Sequence, residues 1–169
     1  MTGRGHLALP GKSAYICPVM TDDLYSNAVL RLAADIPRIG RLAHPHASVR
    51  KVSRLCGSEI ELDVMVQSGR VADLALRVKA CALGQASAAI LARAGIGASL
   101  RELELARDSL KAMLKQSGPA PRGRFAELQL LQSARAYPAR HQSIMLAFEA
   151  AVEAATKATA TRITTPLTG

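Results

Sequence analysis

The sequence predicts an α+β domain in which a three-stranded antiparallel meander is packed by about five helices. The main observation is the alternation over residues 59–66, which is typical of a strand with one buried and one solvent-facing side. Ile60, Leu62, Val64 and Val66 alternate there with Glu59, Glu61, Asp63 and Met65. Residues 67–70 (Q-S-G-R) predict a hairpin turn with Gly69 available for positive φ, and the apolar alternation resumes over 74–80. From Cys81 onward the chain is rich in Ala and Leu at helical spacing.

The length of 169 residues predicts one domain that is large enough to bury its own core. Residues 1–20 contain several Gly and Pro residues and predict a flexible N-terminal tail. A single folded domain is expected over 21–156. Residues 157–169 are rich in Thr, lack periodicity and predict a disordered C-terminal tail.

One helix and one strand are predicted ahead of the hairpin. The helix covers 24–34, with Thr21 or Asp22 as its N-cap, and Pro37 lies beyond its end. The strand covers 47–55 and completes the meander. These elements place the whole sheet in the first half of the domain.

Four further helices are predicted after the hairpin. The first covers 81–94, and its many small residues permit close packing. The second opens with a capping box formed by Ser99 and Glu102, the third is a short helix over 125–134, and the last begins at Pro138. The residues expected to face the core are Leu100, Leu103, Ala106, Leu110, Met113 or Leu114, Ile144, Phe148, Ala151 and Ala155.

Composition narrows the classes of partner. The net charge of +9 favours an acidic partner, such as nucleic acid or an acidic protein surface. However, the basic residues are scattered, aromatic residues make up 3% of the chain and Trp is absent, which argues against nucleic-acid binding by base stacking. The apolar runs are far shorter than the roughly 20 residues of a membrane span, and no membrane partner is expected.

The three cysteines are an odd number and do not predict a disulfide framework. They fit a reducing cytosol, so a cytoplasmic location is expected. No set of nucleophile, base and orienting residue is recognisable, and the chain is not expected to be an enzyme. Cys17 precedes Pro18 in a region of broken local structure and is interpreted as incidental.

Cys56 and Cys81 are the main lead to function. Cys56 precedes the first strand of the hairpin, and Cys81 follows the second at the head of a helix. Because the strands of a hairpin are antiparallel, both cysteines are expected at the same edge of the sheet. Two thiolates there predict a site for a soft or borderline metal or an iron–sulfur unit, although a tetrahedral site requires two further ligands.

The chain resembles the iron–sulfur cluster assembly scaffold family, IscU and the N-terminal domain of NifU. The resemblance covers roughly residues 22–153 and rests on five segments that occur in the family's order: L-Y-S-N-A-V, I-P-R-I-G, L-C-G-S, K-A-C-A-L-G-Q-A-S-A and Y-P-A-R-H-Q-S-I-M-L-A-F-E-A. It implies a three-stranded antiparallel sheet packed by helices. It also implies a site of three cysteines and an aspartate that binds a [2Fe-2S] cluster or zinc and receives sulfur from a cysteine desulfurase.

Only half of that ligand set is present in this chain. Cys56 and Cys81 match the first and second family cysteines. Ser58 stands where the family usually has aspartate, and Ser143 stands where it has the third cysteine. The resemblance therefore implies a degenerate site in which Ser58 and Ser143 occupy ligand positions.

The segment before Ser143 contains a candidate metal ligand and a candidate binding segment for a chaperone. His141 is a tentative third metal ligand, because it lies two residues before Ser143 near the start of the last helix. Gln142 replaces a histidine that often precedes the third family cysteine. Residues 138–140 (P-A-R) fall where many members have the Pro-Val-Lys segment that an Hsp70-type chaperone reads, so such a chaperone is a second implied partner.

Three functions remain open at this point. The first is an iron–sulfur cluster assembly scaffold that binds iron or a [2Fe-2S] cluster around Cys56 and Cys81, with one of these thiols as a candidate sulfur acceptor. The second is a zinc-binding or metal-free interaction module of the same fold that docks on a cysteine desulfurase or another assembly protein. The third is a basic nucleic-acid-binding protein.

Overall fold

The computed structural model describes residues 24–164 and confirms the predicted α+β class. Its sheet has the order β1-β2-β3, with both pairs antiparallel. The elements in chain order are α1 (Asn27–Ala34), β1 (Ala47–Val52), β2 (Glu59–Gln67), β3 (Arg70–Lys79), α2 (Ala82–Ala94), α3 (Leu100–Lys115), a 3-10 segment (Gly123–Ala136) and α4 (Pro138–Thr164).

The core lies between one face of the sheet and the long helices. The alternating residues of β2, Ile60, Leu62, Val64 and Val66, are all buried, as predicted. Helix α4 packs across β1 and β2, and α2 packs against α1, β3 and α4. Burial of this apolar face, at about 25 cal/mol per Å² removed from water, is the main source of stability. No helix between residues 24 and 164 is long and apolar enough to cross a membrane.

The hairpin turn between β2 and β3 fixes the register of the sheet. Ser68 has φ 50° and Gly69 has φ 72°, the two left-handed residues of a type I′ turn. The sequence predicts the positive φ at Gly69. It does not predict the positive φ of Ser68, which is not a glycine. At the far end of the hairpin Glu59 pairs with Lys79, and this end carries Cys56 and Cys81.

The burial of Asp63 differs from the prediction that β2 has one buried and one solvent-facing side. The alternation placed it on the solvent-facing side, but it is only 3% exposed because the segment between α1 and β1 folds over it. The Asp63 carboxylate accepts hydrogen bonds from Ser48 Oγ at 2.8 Å, the Leu42 backbone N–H at 3.1 Å and Arg77 Nη1 at 3.1 Å. The segment is therefore held to the second face of the sheet by hydrogen bonds, from the Leu42 N–H to Asp63 and from Arg77 to the Gly40 carbonyl oxygen, while Asp63 and Arg77 pair with each other within the sheet.

The N-cap of α1 differs from the prediction. The helix begins at Asn27, and the Ser26 hydroxyl accepts a hydrogen bond from the Val29 backbone N–H at 3.3 Å. Ser26 performs the role that the sequence assigned to Thr21 or Asp22. Those two residues, Cys17 and the expected tail over 1–20 lie outside the described residues.

The last helix corrects the predicted C-terminal tail. α4 continues to Thr164, so residues 157–164 are helical and not disordered. Thr159 and Thr161 donate hydroxyl hydrogen bonds to carbonyl oxygens one turn earlier, and Ala158 is fully buried. Arg162 Nη1 donates to the Val66 carbonyl at 2.6 Å, which fastens the helix to β2. The burial of Ala158 and the contact of Arg162 with β2 depend on the tertiary fold, so the Thr-rich composition does not reveal them.

Two predicted boundaries also shift. β1 ends at Val52, because the Ser53 N–H turns to donate to the Ser58 carbonyl at 2.7 Å and closes a loop over 53–58. The short helix predicted over 125–134 is a longer 3-10 segment. The capping box of α3 is confirmed: Ser99 Oγ accepts from the Glu102 N–H, and Glu102 accepts from the Ser99 N–H.

Candidate functional site

The structure brings Cys56 and Cys81 to the same edge of the sheet, as predicted. Cys56 lies in the loop 53–58 between β1 and β2, where the Gly57 N–H donates to the Ser53 carbonyl at 2.8 Å and Gly57 adopts φ 67°. Cys81 is the N-cap residue of α2, directly after β3. The Cys56 side chain is exposed and that of Cys81 is half-buried, and both thiols are free.

A chain of hydroxyl groups connects the two thiols. Cys56 Sγ lies 3.1 Å from Ser58 Oγ, Ser58 Oγ lies 3.0 Å from Ser143 Oγ, and Ser143 Oγ lies 3.4 Å from Cys81 Sγ. Ser58 is 4% exposed and Ser143 is fully buried. The four residues that the family resemblance singled out therefore form one contiguous cluster, which we call the Cys-Ser cluster (Cys56, Ser58, Cys81, Ser143).

Gly84 allows Ser143 to reach this cluster. It lies in the first turn of α2, and a Cβ built there would overlap Ser143 Oγ and come within 2.9 Å of Ala80 Cβ. Helix α4 can approach α2 this closely only because residue 84 has no side chain. The sequence signal was a glycine within an Ala-rich helix. The small residues of this helix predicted close packing, but Gly84 was not assigned to the site.

We expect Gly84→Ala to destabilise the domain by about 1–2 kcal/mol, because overpacking outweighs the gain in helix propensity. The displaced Ser143 should also leave Cys81 more exposed. Urea unfolding measures the first effect, and the rate of Cys81 alkylation at neutral pH measures the second. Gln85→Ala, one residue away on the partly exposed side of α2, is the control and should change neither quantity appreciably. An unchanged unfolding midpoint in Gly84→Ala would contradict the close-approach argument.

Ser53 is a second site residue that the sequence reasoning missed. Its hydroxyl accepts a hydrogen bond from Cys56 Sγ at 3.2 Å and donates to Gln142 Oε1 at 2.8 Å. Hydrogen bonds with Ser53, and then with Ser58, hold the pKa of the Cys56 thiol below its ordinary value, outweighing the opposite effect of burial. No sequence signal pointed to this contact, because Ser53 and Gln142 are 89 residues apart in the chain.

We expect Ser53→Ala to shift the pH midpoint of Cys56 alkylation upward, because the variant lacks the hydroxyl that can rotate from Gln142 to donate a hydrogen bond to the thiolate. Iodoacetamide labelling across pH 6–10, read by mass spectrometry of the Cys56 peptide, measures the midpoint. Ser109→Ala, on α3, is the matched control and should leave the midpoint unchanged. Identical midpoints in all three proteins would show that Ser53 does not influence the thiol.

His141 does not join the Cys-Ser cluster. Its ring is buried, and Nε2 lies 2.9 Å from the carbonyl oxygen of Ala134 in the 3-10 segment. Among residues 24–164 no group of three or more His, Cys, Asp and Glu side chains is placed to hold a metal ion. The expectation that His141 turns toward the cysteines is therefore corrected: the ring packs against the preceding segment.

The donor set of the Cys-Ser cluster does not complete a four-ligand site within one chain. Zinc and iron–sulfur clusters are held by thiolate, imidazole or carboxylate groups, usually four in number. The two thiols qualify, whereas the Ser58 and Ser143 hydroxyls are neutral and hard. The serines instead share hydrogen bonds with the sulfur atoms.

A groove of about 820 Å³ lies beside the loop that carries Cys56. Its walls come from that loop, the end of α3 and the start of α4. Two apolar residues on its rim are unusually exposed, Leu55 at 79% and Val52 at 43%. Arg54 and Lys115 add positive charge and belong to none of the ion pairs found between residues 24 and 164.

Three similarities to known proteins agree with this architecture. The model of the NifU-like N-terminal domain family matches residues 24–157. A crystal structure of the N-terminal part of a nitrogen-fixing NifU-like protein from Brucella abortus has a TM-score of 0.82 and 44% identity, covering 83% of this chain and 98% of that one. The iron-sulfur cluster assembly scaffold protein IscU of Thermotoga maritima is 27% identical over 134 residues, which span 79% of this chain and 94% of the relative.

Proposed function

The chain belongs to the NifU-like N-terminal domain family, and we propose that it acts as a scaffold-type protein of iron–sulfur cluster assembly. The observation that carries this proposal is the Cys-Ser cluster, in which hydroxyl groups join two free thiols at one edge of the sheet. The cargo is iron or a [2Fe-2S] cluster. Cys56 and Cys81 are its ligands. Ser58 and Ser143 orient the two sulfur atoms by hydrogen bonding.

A cysteine desulfurase is the proposed source of sulfur. Of the two thiols, Cys56 is the more accessible, and it lies beside the groove rimmed by Leu55 and Val52. Arg54 and Lys115 favour a partner segment that is acidic and carries an apolar anchor. We propose that this segment docks in the groove and brings its sulfur donor to Cys56.

An Hsp70-type chaperone is a further proposed partner. Pro138 and Ala139 are exposed in the first turn of α4, where a peptide-binding protein has access to them. Arg140 retains a positive charge at the position of the family's lysine. Both partners, and free thiols in general, are compatible with a reducing compartment such as the cytosol.

A zinc-binding or metal-free interaction module is the second candidate. The observation in its favour is the buried Ser143, which replaces a thiol and cannot carry a persulfide. A chain of this kind would keep the family's surfaces for partners without assembling a cluster.

Elemental analysis combined with a visible spectrum separates these candidates. The full chain is purified without oxygen and measured before and after incubation with ferrous iron, sulfide and reductant. Iron and sulfide in comparable amounts, with visible absorption, would support the scaffold. Stoichiometric zinc that iron does not displace, or the absence of any metal after reconstitution, would refute it in favour of the interaction module.

A further inference from the structure

The two serine hydroxyls of the Cys-Ser cluster can direct their hydrogens toward either thiol. Ser58 Oγ lies 3.1 Å from Cys56 Sγ, Ser143 Oγ lies 3.4 Å from Cys81 Sγ, and the two oxygens are 3.0 Å apart. A hydroxyl group has one donor hydrogen, which rotates about the C–O bond, and it accepts through its lone pairs. When both hydrogens point one way along this chain, Cys56 receives a hydrogen bond, and when both point the other way, Cys81 receives it. The reversal requires no movement of the heavier atoms.

We propose that the Cys-Ser cluster is a sulfur relay, in which a sulfur atom passes from Cys56 to Cys81 of the same chain. This inference rests on the proposed function, in which a desulfurase delivers sulfur to Cys56 as a persulfide. The Cys81 thiolate attacks the outer, protonated sulfur of that persulfide. The S–S bond at Cys56 breaks and leaves its electron pair on Cys56 Sγ as a thiolate, while a new S–S bond forms at Cys81. The proton remains on the transferred sulfur, so atoms and charge balance without an oxidant or a reductant.

The hydroxyl chain follows the negative charge through this step. Before the transfer the charge is on Cys81, and Ser143 can donate to it while Ser58 donates to Ser143. After the transfer the charge is on Cys56, and reversal of both hydroxyls lets Ser58 donate to it. Hydrogen bonds to charged groups are stronger than those between neutral groups, so the same two serines stabilise both the attacking and the leaving thiolate. A carboxylate at either position would only accept hydrogen bonds and could not do this.

The contact of α4 with α2 holds Ser143 in place between the two thiols. The carbonyl oxygen of the next residue, Ile144, accepts a hydrogen bond from Ser87 Oγ at 2.7 Å, and the absence of a side chain at Gly84 leaves space for the Ser143 hydroxyl. Donors that are already in position stabilise a developing charge without the cost of reorganisation. The fold therefore supplies the donor before the charge arrives.

The exposure of the two cysteines sets the direction of the transfer. Cys56 is exposed and accessible to a sulfur donor, whereas Cys81 is half-buried. The S–S bond of a persulfide is about 2.05 Å long, so the outer sulfur can extend from Cys56 Sγ toward the second thiol. Ser58 is 4% exposed and Ser143 is fully buried, which limits competition from water for their hydrogen bonds. Sulfur therefore enters at the exposed thiol and is held at the half-buried one, where dissolved reductants have less access.

The test follows the position of the transferred sulfur with time. The full chain, free of metal and oxygen, receives inorganic polysulfide carrying less than one transferable sulfur per chain, and samples are alkylated with excess iodoacetamide at intervals. Trypsin without reductant then places the three cysteines on separate peptides, 13–31, 55–70 and 80–93. We expect the additional sulfur to appear first on 55–70 and then on 80–93, by mass spectrometry, with a rate of transfer independent of protein concentration. A transfer rate that rises with concentration would place the step between two chains and overturn the relay.

Matched variants test the hydroxyl chain. Ser143→Ala interrupts the chain at Cys81, and we expect it to slow the transfer about tenfold while the Cys56 peptide is loaded at the parent's rate. A general loss of packing would not separate these two rates. Ser109→Ala, on α3, is the control and should keep both rates. Cys56→Ser should delay the loading of Cys81, because the exposed entry point is absent.

The failure of the relay is distinguishable from the failure of the proposed function. Parent-like loading of Cys81 in Cys56→Ser would overturn the relay, because sulfur would then reach Cys81 directly. Equal transfer rates in Ser143→Ala and the parent chain would show that the hydroxyl chain plays no part. Neither result affects the uptake of iron and inorganic sulfide, which is measured separately, so the scaffold function would remain intact. A chain that transfers sulfur but takes up no iron would support the relay and refute the scaffold function.

Discussion

Cys81→Ser is expected to abolish stable iron and sulfide binding, with a loss of about 100-fold or more in retained cluster. The substitution replaces a soft, negatively charged ligand by a neutral hydroxyl, and it leaves Cys56 as the only thiol in the Cys-Ser cluster. Iron and sulfide content and the visible spectrum after reconstitution are the measurements. Because metal binding adds to folding free energy, the reconstituted parent should also unfold at a higher temperature than the reconstituted variant.

Cys17→Ser is the matched control for this experiment. It makes the same chemical change at a cysteine that the sequence interpretation treats as incidental. We expect iron content, sulfide content and unfolding temperature equal to those of the parent chain. Retention of a full cluster by Cys81→Ser, or its loss in Cys17→Ser, would each show that the thiols have been assigned wrongly.

Asp63→Asn is expected to lower the free energy of unfolding by about 3 kcal/mol, the largest stability effect predicted here for a single polar group. The substitution removes the negative charge of the buried partner of Arg77, which keeps only its ion pair with the partly exposed Glu61, and it weakens the attachment of the segment that covers the second face of the sheet. Asp73→Asn removes the exposed ion pair with Arg38 and should cost less than about 1 kcal/mol. Urea unfolding at neutral pH compares the two variants.

The same carboxylate predicts a dependence of stability on pH. Burial alone raises the pKa of Asp63, but hydrogen bonds from Arg77, Ser48 and the Leu42 N–H, with the charge of Arg77, hold it below its ordinary value. The stabilisation is therefore complete above the unfolded pKa of about 3.9 and is lost as the pH falls through the lower pKa of the folded state. The parent chain should lose more stability than Asp63→Asn below about pH 4. Parallel stability curves for both proteins would rule out this linkage.

Local patterns were sufficient to predict most of the fold. The alternation over 59–66, the turn at Gly69 and the capping box at Ser99 each involve residues close together in the chain, and each was confirmed. The common edge of Cys56 and Cys81 followed from antiparallel geometry. Ser143 was found only through the family resemblance, because it approaches Cys81 from an element 62 residues away.

Three features that the sequence did not predict depend on distant contacts. Asp63 is buried because a segment that precedes β1 covers it. The apolar pattern within β2 contains no information about that segment. His141 points to Ala134 and not to the cysteines, an orientation set by how the 3-10 segment meets α4. Thr159 and Thr161 extend α4 in a stretch whose composition is typical of a tail, because burial of Ala158 and the Arg162 contact stabilise the helix there.

The order of the elements along the chain has a consequence for synthesis. Cys56 and Cys81 both precede α4, whereas Ser143, which contacts Cys81 from the core side, follows it by 62 residues. At the usual rate of about 5–20 residues per second, the ribosome needs roughly 3–12 s to reach it. During that interval the nascent chain carries both thiols before the last helix can close over the hairpin. Metals and oxidants in the surrounding cell therefore have access to the Cys81 thiol on the growing polypeptide before the finished fold half-buries it.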